Sequence, residues 1–163
     1  MSFRSFVAAS LAATLLAAHA WADGIMIMDP YARAASPAAK SGAAFMMIHN
    51  TSDQDDRLIA ARTDAAKRVE LHTHTEVGDG ILQMTEIEGG IELPAGATHH
   101  MMRGADHVML MGLTGPLEQD AEIEVTLVFE QSGEIVVTIP VDNARKPEAG
   151  AHGRHADHSG HSN

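Results

Sequence analysis

Val69-Glu70-Leu71-His72-Thr73-His74 reads as one strand with two unlike faces. Successive side chains of an extended chain point to opposite sides, so Val69 and Leu71 lie on one face and His72 and His74 on the other. Gly78-Asp79-Gly80 is a turn signal, and Ile81 to Ile87 is expected to return as the hairpin partner. Working outward, short apolar segments recur between turn residues. Gly24 to Met28 is expected to be a strand ended by Asp29-Pro30, and Tyr31 to Lys40 an irregular connection rich in Ala, Ser and Pro. Gly42 to His49, Asp56 to Arg62 and Asp106 to Leu113 follow as strands, and Ile91 to Leu93 and Ala97 to Met102 flank Pro94-Ala95-Gly96. Ala121 to Glu130 places Ile123, Val125, Leu127 and Phe129 on one face, Gln131-Ser132-Gly133 turns, and Glu134 to Val141 returns. Asp64 to Arg68 is read at most as a helical turn. About eight or nine short strands at regular spacing, with no amphipathic helix, predict an all-β, antiparallel Greek-key sandwich or barrel.

The chain has 163 residues, and the first of them have the pattern of an export signal. Arg4 precedes an apolar run from Phe6 to Ala18, and Ala18-His19-Ala20 and Ala20-Trp21-Ala22 are small-x-small cleavage sites. The apolar run is shorter than the ~20 residues needed to cross a bilayer. The expected organisation is a signal peptide at 1–22, a β domain at 23–143 and a flexible tail at 144–163. No transmembrane segment is expected in the mature chain. The remaining ~140 residues are enough for one hydrophobic core.

Composition narrows the function. The formal net charge of −11 removes nucleic acid as a partner, because a phosphate backbone needs a basic face. Cysteine is absent, whereas there are ten methionines and eleven histidines. In an oxidising compartment such as the periplasm, thioethers and imidazoles can bind soft ions without the risk of disulfide formation.

His72, Met84, His107 and Met109 form the candidate metal set. Thioether with imidazole is a ligand set for copper, and thioether favours Cu(I). His107 and Met109 are two apart on one strand, so they share a face, and Met111 shares it too. His74 is an alternative to His72, and Met111 an additional candidate. Met26, Met28, Met46 and Met47 are read as packing or edge residues, as is Met111 where it is not a ligand. His49 is read as a surface histidine at a strand end. His99-His100-Met101-Met102 is read as a loop near the site and a lesser source of ligands. Asn50-Thr51-Ser52-Asp53 is read as a turn. Catalysis is not expected: the chain has no cysteine for a nucleophile or a blue-copper site, and no Gly-x-Ser-x-Gly.

These residues resemble the periplasmic copper chaperone family called PCuAC, which carries a His, a Met about ten residues on and a His-x-Met some twenty residues later. Here eleven residues separate His72 from Met84 and twenty-two separate Met84 from His107. Val69-Glu70-Leu71-His72, Leu93-Pro94-Ala95-Gly96-Ala97-Thr98, His107-Val108-Met109-Leu110-Met111-Gly112-Leu113 and Ile139-Pro140-Val141 carry further likeness, which spans Ile25 to Val141. Leu82 stands where many relatives have a second Met. The resemblance implies a cupredoxin-like fold and a non-enzymatic role: a Cu(I) carrier supplying the CuA site of cytochrome c oxidase, a haem–copper oxidase, directly or through an assembly partner. A periplasmic copper buffer or resistance protein is the alternative reading. A monomer is expected.

The tail adds His152, His155, His158 and His161 at every third position. Flexible imidazoles without thioether suit Cu(II), and also Zn(II) or Ni(II). So polar a segment cannot bury enough surface to offset its ordering entropy.

Overall fold

The structure is a computed structural model that describes residues 24–78 and 81–146. The expected signal peptide and the histidines of the tail lie outside the described residues. In chain order the strands are β1 (Ile25–Ala34), β2 (Ser41–Asn50), β3 (Asp56–Arg62), β4 (Ala66–Glu76) and β5 (Leu82–Glu86). They continue as β6 (Ile91–Leu93), β7 (Thr98–Met101), β8 (His107–Leu113), β9 (Glu122–Phe129) and β10 (Gly133–Pro140). The described residues contain no helix, and so none long and apolar enough to cross a membrane.

Two antiparallel sheets face each other. The larger runs β1-β2-β8-β4-β5, with β7 pairing the far half of β2, and the smaller runs β10-β9-β3-β6. The chain crosses between them at β2 to β3, β3 to β4, β5 to β6, β6 to β7 and β8 to β9. This is the interleaved connectivity expected of a Greek-key sandwich. Ile48, Leu58, Val108, Leu110, Val125, Leu127 and Ile139 are inaccessible to solvent at the centre of the core between the sheets. They alternate with outward residues along every long strand, which locks the register: a slip by one residue would turn each core side chain to water.

Three local expectations give way. Pro30 does not end β1, which continues to Ala34 across a register shift between Met28 and Tyr31. Proline has no N–H to donate, but β1 is an edge strand, and a bulge there removes the need for one. Asp29 adopts φ 49° at that bulge. Asp64 to Arg68 forms no helical turn, because β4 already starts at Ala66. Asn50 is more than a turn residue: it is fully buried and its amide Nδ2 donates to the carbonyls of Gln54 and Leu93 at 2.7 and 2.8 Å. It therefore ties the end of β2 to β6 in the opposite sheet.

Candidate metal centre

The outward face of the larger sheet carries the chemistry. Val108 and Leu110 point into the core, so His107 and Met109 between and before them must point outward. Leu71 does the same for Glu70 and His72 on β4. The register then sets neighbours: His72 lies opposite His107, Glu70 opposite Met109, and Ala43 of β2 opposite Met109 on its other side. On the far side of β4, His74 lies opposite Met84 of β5. Directly paired side chains start ~5 Å apart, close enough for one ion to reach several of them.

His74, Met84, His107 and Met109 line one open cavity of about 280 Å³, together with Arg33 and Arg103. His72 is beside this cavity rather than on its wall. Its ring centroid is 5.9 Å from that of His107, and that of His74 is 5.4 Å from His107. Met111 lies opposite Arg68, and its sulfur accepts from Arg68 Nη2 at 3.1 Å. His99 turns away, with Nε2 3.0 Å from Asp106 Oδ2. His49 is half-buried, with Nδ1 within hydrogen-bond distance of the Ala97 carbonyl and the Thr98 hydroxyl.

Each imidazole is held by a group that sets its tautomer. His107 is 2% exposed, packs against Phe45 at 5.9 Å between centroids, and has Nδ1 3.0 Å from the Ala105 carbonyl. Burial lowers its pKa below the usual 6.5, opposed by the Ala105 contact and reinforced by His74 and His72. At neutral pH the ring is uncharged; with Nδ1–H donating to Ala105, the Nε2 lone pair is left for a metal. His74 Nδ1 approaches the same carbonyl at 3.3 Å, so one backbone oxygen orients two rings. His72 Nε2 is 2.7 Å from Glu70 Oε2, and Glu70 in turn takes Arg68 at 3.0 Å. Donation from Nε2 leaves His72 Nδ1 buried with no partner. A buried nitrogen lone pair without a hydrogen bond is costly unless a ligand fills it.

Met84 differs from the others in exposure. It is 43% exposed on the edge strand β5, beside Leu82, Ile81 and Val77, which are 55–61% exposed. Among the described residues no three His, Asp or Glu side chains gather into a metal site. An ion held on this face therefore needs the thioethers, which select soft metals.

Two solved domains resemble this architecture closely. The copper-bound PCuAC domain from PmoF2 is 25% identical, with a TM-score of 0.62, covering 76% of this chain and 96% of that domain. The Cu(I) solution structure of DR1885 from Deinococcus radiodurans is 31% identical, with a TM-score of 0.59, covering 77% of this chain and 84% of that one. The fold is thus an all-β, cupredoxin-like domain of the PCuAC type. Residues 25–141 match the family described as "Putative lipoprotein LpqE-like". A curated relative, "Putative lipoprotein Lxx21020" of Leifsonia xyli subsp. xyli, is 36% identical over 120 residues, which is 74% of this chain and 70% of that protein. The chain belongs to the LpqE-like family.

Proposed function

We propose that this protein is an exported copper chaperone that holds Cu(I) at the outward face of the larger sheet and passes it to an acceptor. The observation that carries the reading is the meeting of two imidazoles and two thioethers, His74, Met84, His107 and Met109, on one open cavity. Likeness to solved domains whose names record bound copper, in one case Cu(I), supports it. Met84, His107 and Met109 form the constant part of the site. His72, through its unpartnered Nδ1, and His74, through Nε2, are the two candidates for the fourth position. A half-exposed thioether on an edge strand suits release: an incoming ligand can displace Met84 before the buried His107 lets go.

Export to the periplasm follows from the signal-peptide pattern and agrees with a relative named as a lipoprotein. The acceptor is the CuA site of a haem–copper oxidase, reached directly or through an assembly partner. The tail histidines, His152, His155, His158 and His161, take Cu(II). The test is competition against a Cu(I) chelator. The chain is expected to hold one Cu(I) through this face, and His107→Ala/Met109→Ala to lose it. Native-like Cu(I) affinity in that double variant would overturn the site. Deletion from Ala149 is expected to remove Cu(II) binding and leave the Cu(I) equivalent. A deletion strain that assembles its oxidase normally at low copper, yet loses copper tolerance, would assign a buffering role instead.

A further inference from the structure

A second cavity on the same face of the sheet is also lined by sulfur and imidazole. The register places Met28 of β1 opposite Met47 of β2, and Met47 opposite His100 of β7. Three neighbouring strands therefore present thioether, thioether and imidazole side by side on the outward face. Met102 follows two residues after His100. Met47, His100 and Met102 line a cavity of about 40 Å³, which Met46 and Met101, both buried, also border. A water molecule needs ~10–15 Å³ of such volume, so the space admits one ion with a water.

The position is distinct from the candidate metal centre described above. Tyr31 and Phe45, stacked 5.0 Å apart between centroids, stand between the two, with Phe45 against His107. Arg103 lines both cavities.

Charge decides which ion suits the second cavity. Arg145, Asp29 and Arg103 also border it. Arg145 is ion-paired with Asp29 and lies 4.1 Å from the centroid of the Tyr31 ring, while Arg103 Nη1 donates to the Arg145 carbonyl. Among the groups that border the cavity, two guanidinium groups face one carboxylate, and Asp142 acts on Arg145 from beyond the wall. Guanidinium repulsion scales with the charge of the incoming ion and disfavours a dication twice as strongly as a monocation. Thioethers and an imidazole retain a soft monocation.

We propose that Met47, His100 and Met102, with Met28 alongside, form a second binding site for a soft monovalent ion such as Cu(I). The site stands independently of the assignment made for His107 and Met109.

Methionine methyl NMR tests it, because residues 147–163 contain no methionine and ions taken by the tail are silent. The probe is Ag(I), a redox-inert soft monocation, titrated into the chain without its first 22 residues. The methyls of Met47 and Met102 are expected to shift, and to shift still in His107→Ala/Met109→Leu. In His100→Ala, an exposed position whose loss leaves the core intact, their apparent affinity is expected to fall at least ~10-fold. Met84 and Met109 are expected to respond as before in that variant. Met47 and Met102 methyls that stay unmoved in excess Ag(I), or that lose their response in His107→Ala/Met109→Leu, would overturn the proposal. Failure of the first metal centre would be read separately, as unmoved Met84 and Met109 methyls.

Discussion

His72 and His107 face each other across β4 and β8, with ring centroids 5.9 Å apart and interplanar angle 58°. Each ring has one nitrogen within hydrogen-bond distance of an oxygen, Glu70 for His72 and Ala105 for His107. His74, two residues along the same strand, has its ring centroid 5.4 Å from that of His107 and the same Ala105 carbonyl in reach. His107 is thus flanked by two imidazoles, each oriented and each with a free nitrogen to offer.

This redundancy makes a prediction for the fourth ligand. His72→Ala and His74→Ala, taken singly, are expected to weaken Cu(I) binding by no more than ~10-fold, the scale of losing a supporting group. The double variant is expected to lose more than the product of the two single effects. Competition with a Cu(I) chelator measures all three. The full loss in one single variant with no effect in the other would show that one histidine alone is the ligand.

Glu70 gives a second prediction. Glu70→Gln keeps the size of the side chain but removes the carboxylate that orients His72 and holds Arg68. Cu(I) affinity is expected to fall by ~10–100-fold if His72 binds, and to be unchanged if His74 does. The same titration reads the result.

Asp56 ties stability to pH. Burial would raise its pKa, but hydrogen bonds from Ser132, Gln131 and Arg57 outweigh burial and hold it below 3.8. The backbone N–H groups of Arg57, Gln131 and Ser132 donate to its carboxylate at 2.7, 2.9 and 3.1 Å. A depressed folded-state pKa means the unfolded chain binds the proton more readily. The stabilisation is therefore complete above about pH 4 and is lost as pH falls through the folded pKa. Denaturant melts between pH 6 and pH 2 are expected to show this loss, and Asp56→Asn to flatten it.

Asn50 is expected to matter for folding rather than for metal. Asn50→Ala leaves the buried Leu93 carbonyl without its partner and frees Ser52 from the Asn50 Oδ1. The expected cost is ~1–3 kcal/mol. Leu110→Ala, at a fully buried position behind the candidate metal centre, is expected to cost ~2–5 kcal/mol. Urea titration measures both. A loss of copper binding by Asn50→Ala while it remains folded would show that the contact also positions the site.

Much of the fold was legible because alternation of apolar and polar residues is a local signal. Ile123, Val125, Leu127 and Phe129 fall on one face in the sequence; the last three are buried, and Ile123 packs half-buried against the core. The His72–His74 strand and its hairpin with Ile81 to Ile87 were read the same way, and β4 pairs β5. The continuation of β1 past Pro30 was not legible. Pro30, Ala32 and Ala34 are poor strand formers, and Tyr31 to Ala34 are extended because Gly42 to Phe45 of β2 pair with them. The burial of Asn50 left no trace in its neighbours either, since its acceptor Leu93 is 43 residues away.

The sequence by itself determined the all-β class, because strand period is a property of residues and their spacing, and it set which donor atoms a site could use. It also determined that His107 and Met109 share a face. Only the tertiary structure tells the two neighbouring imidazoles apart, placing His74 on the cavity wall and His72 beside it. His72 and His74 are two apart and equivalent in the strand pattern. What separates them is the register across β8 and β5, the Glu70 carboxylate and the Ala105 carbonyl. The same holds for Met28, Met47 and His100, which are far apart in the chain and come together only because β1, β2 and β7 pair side by side.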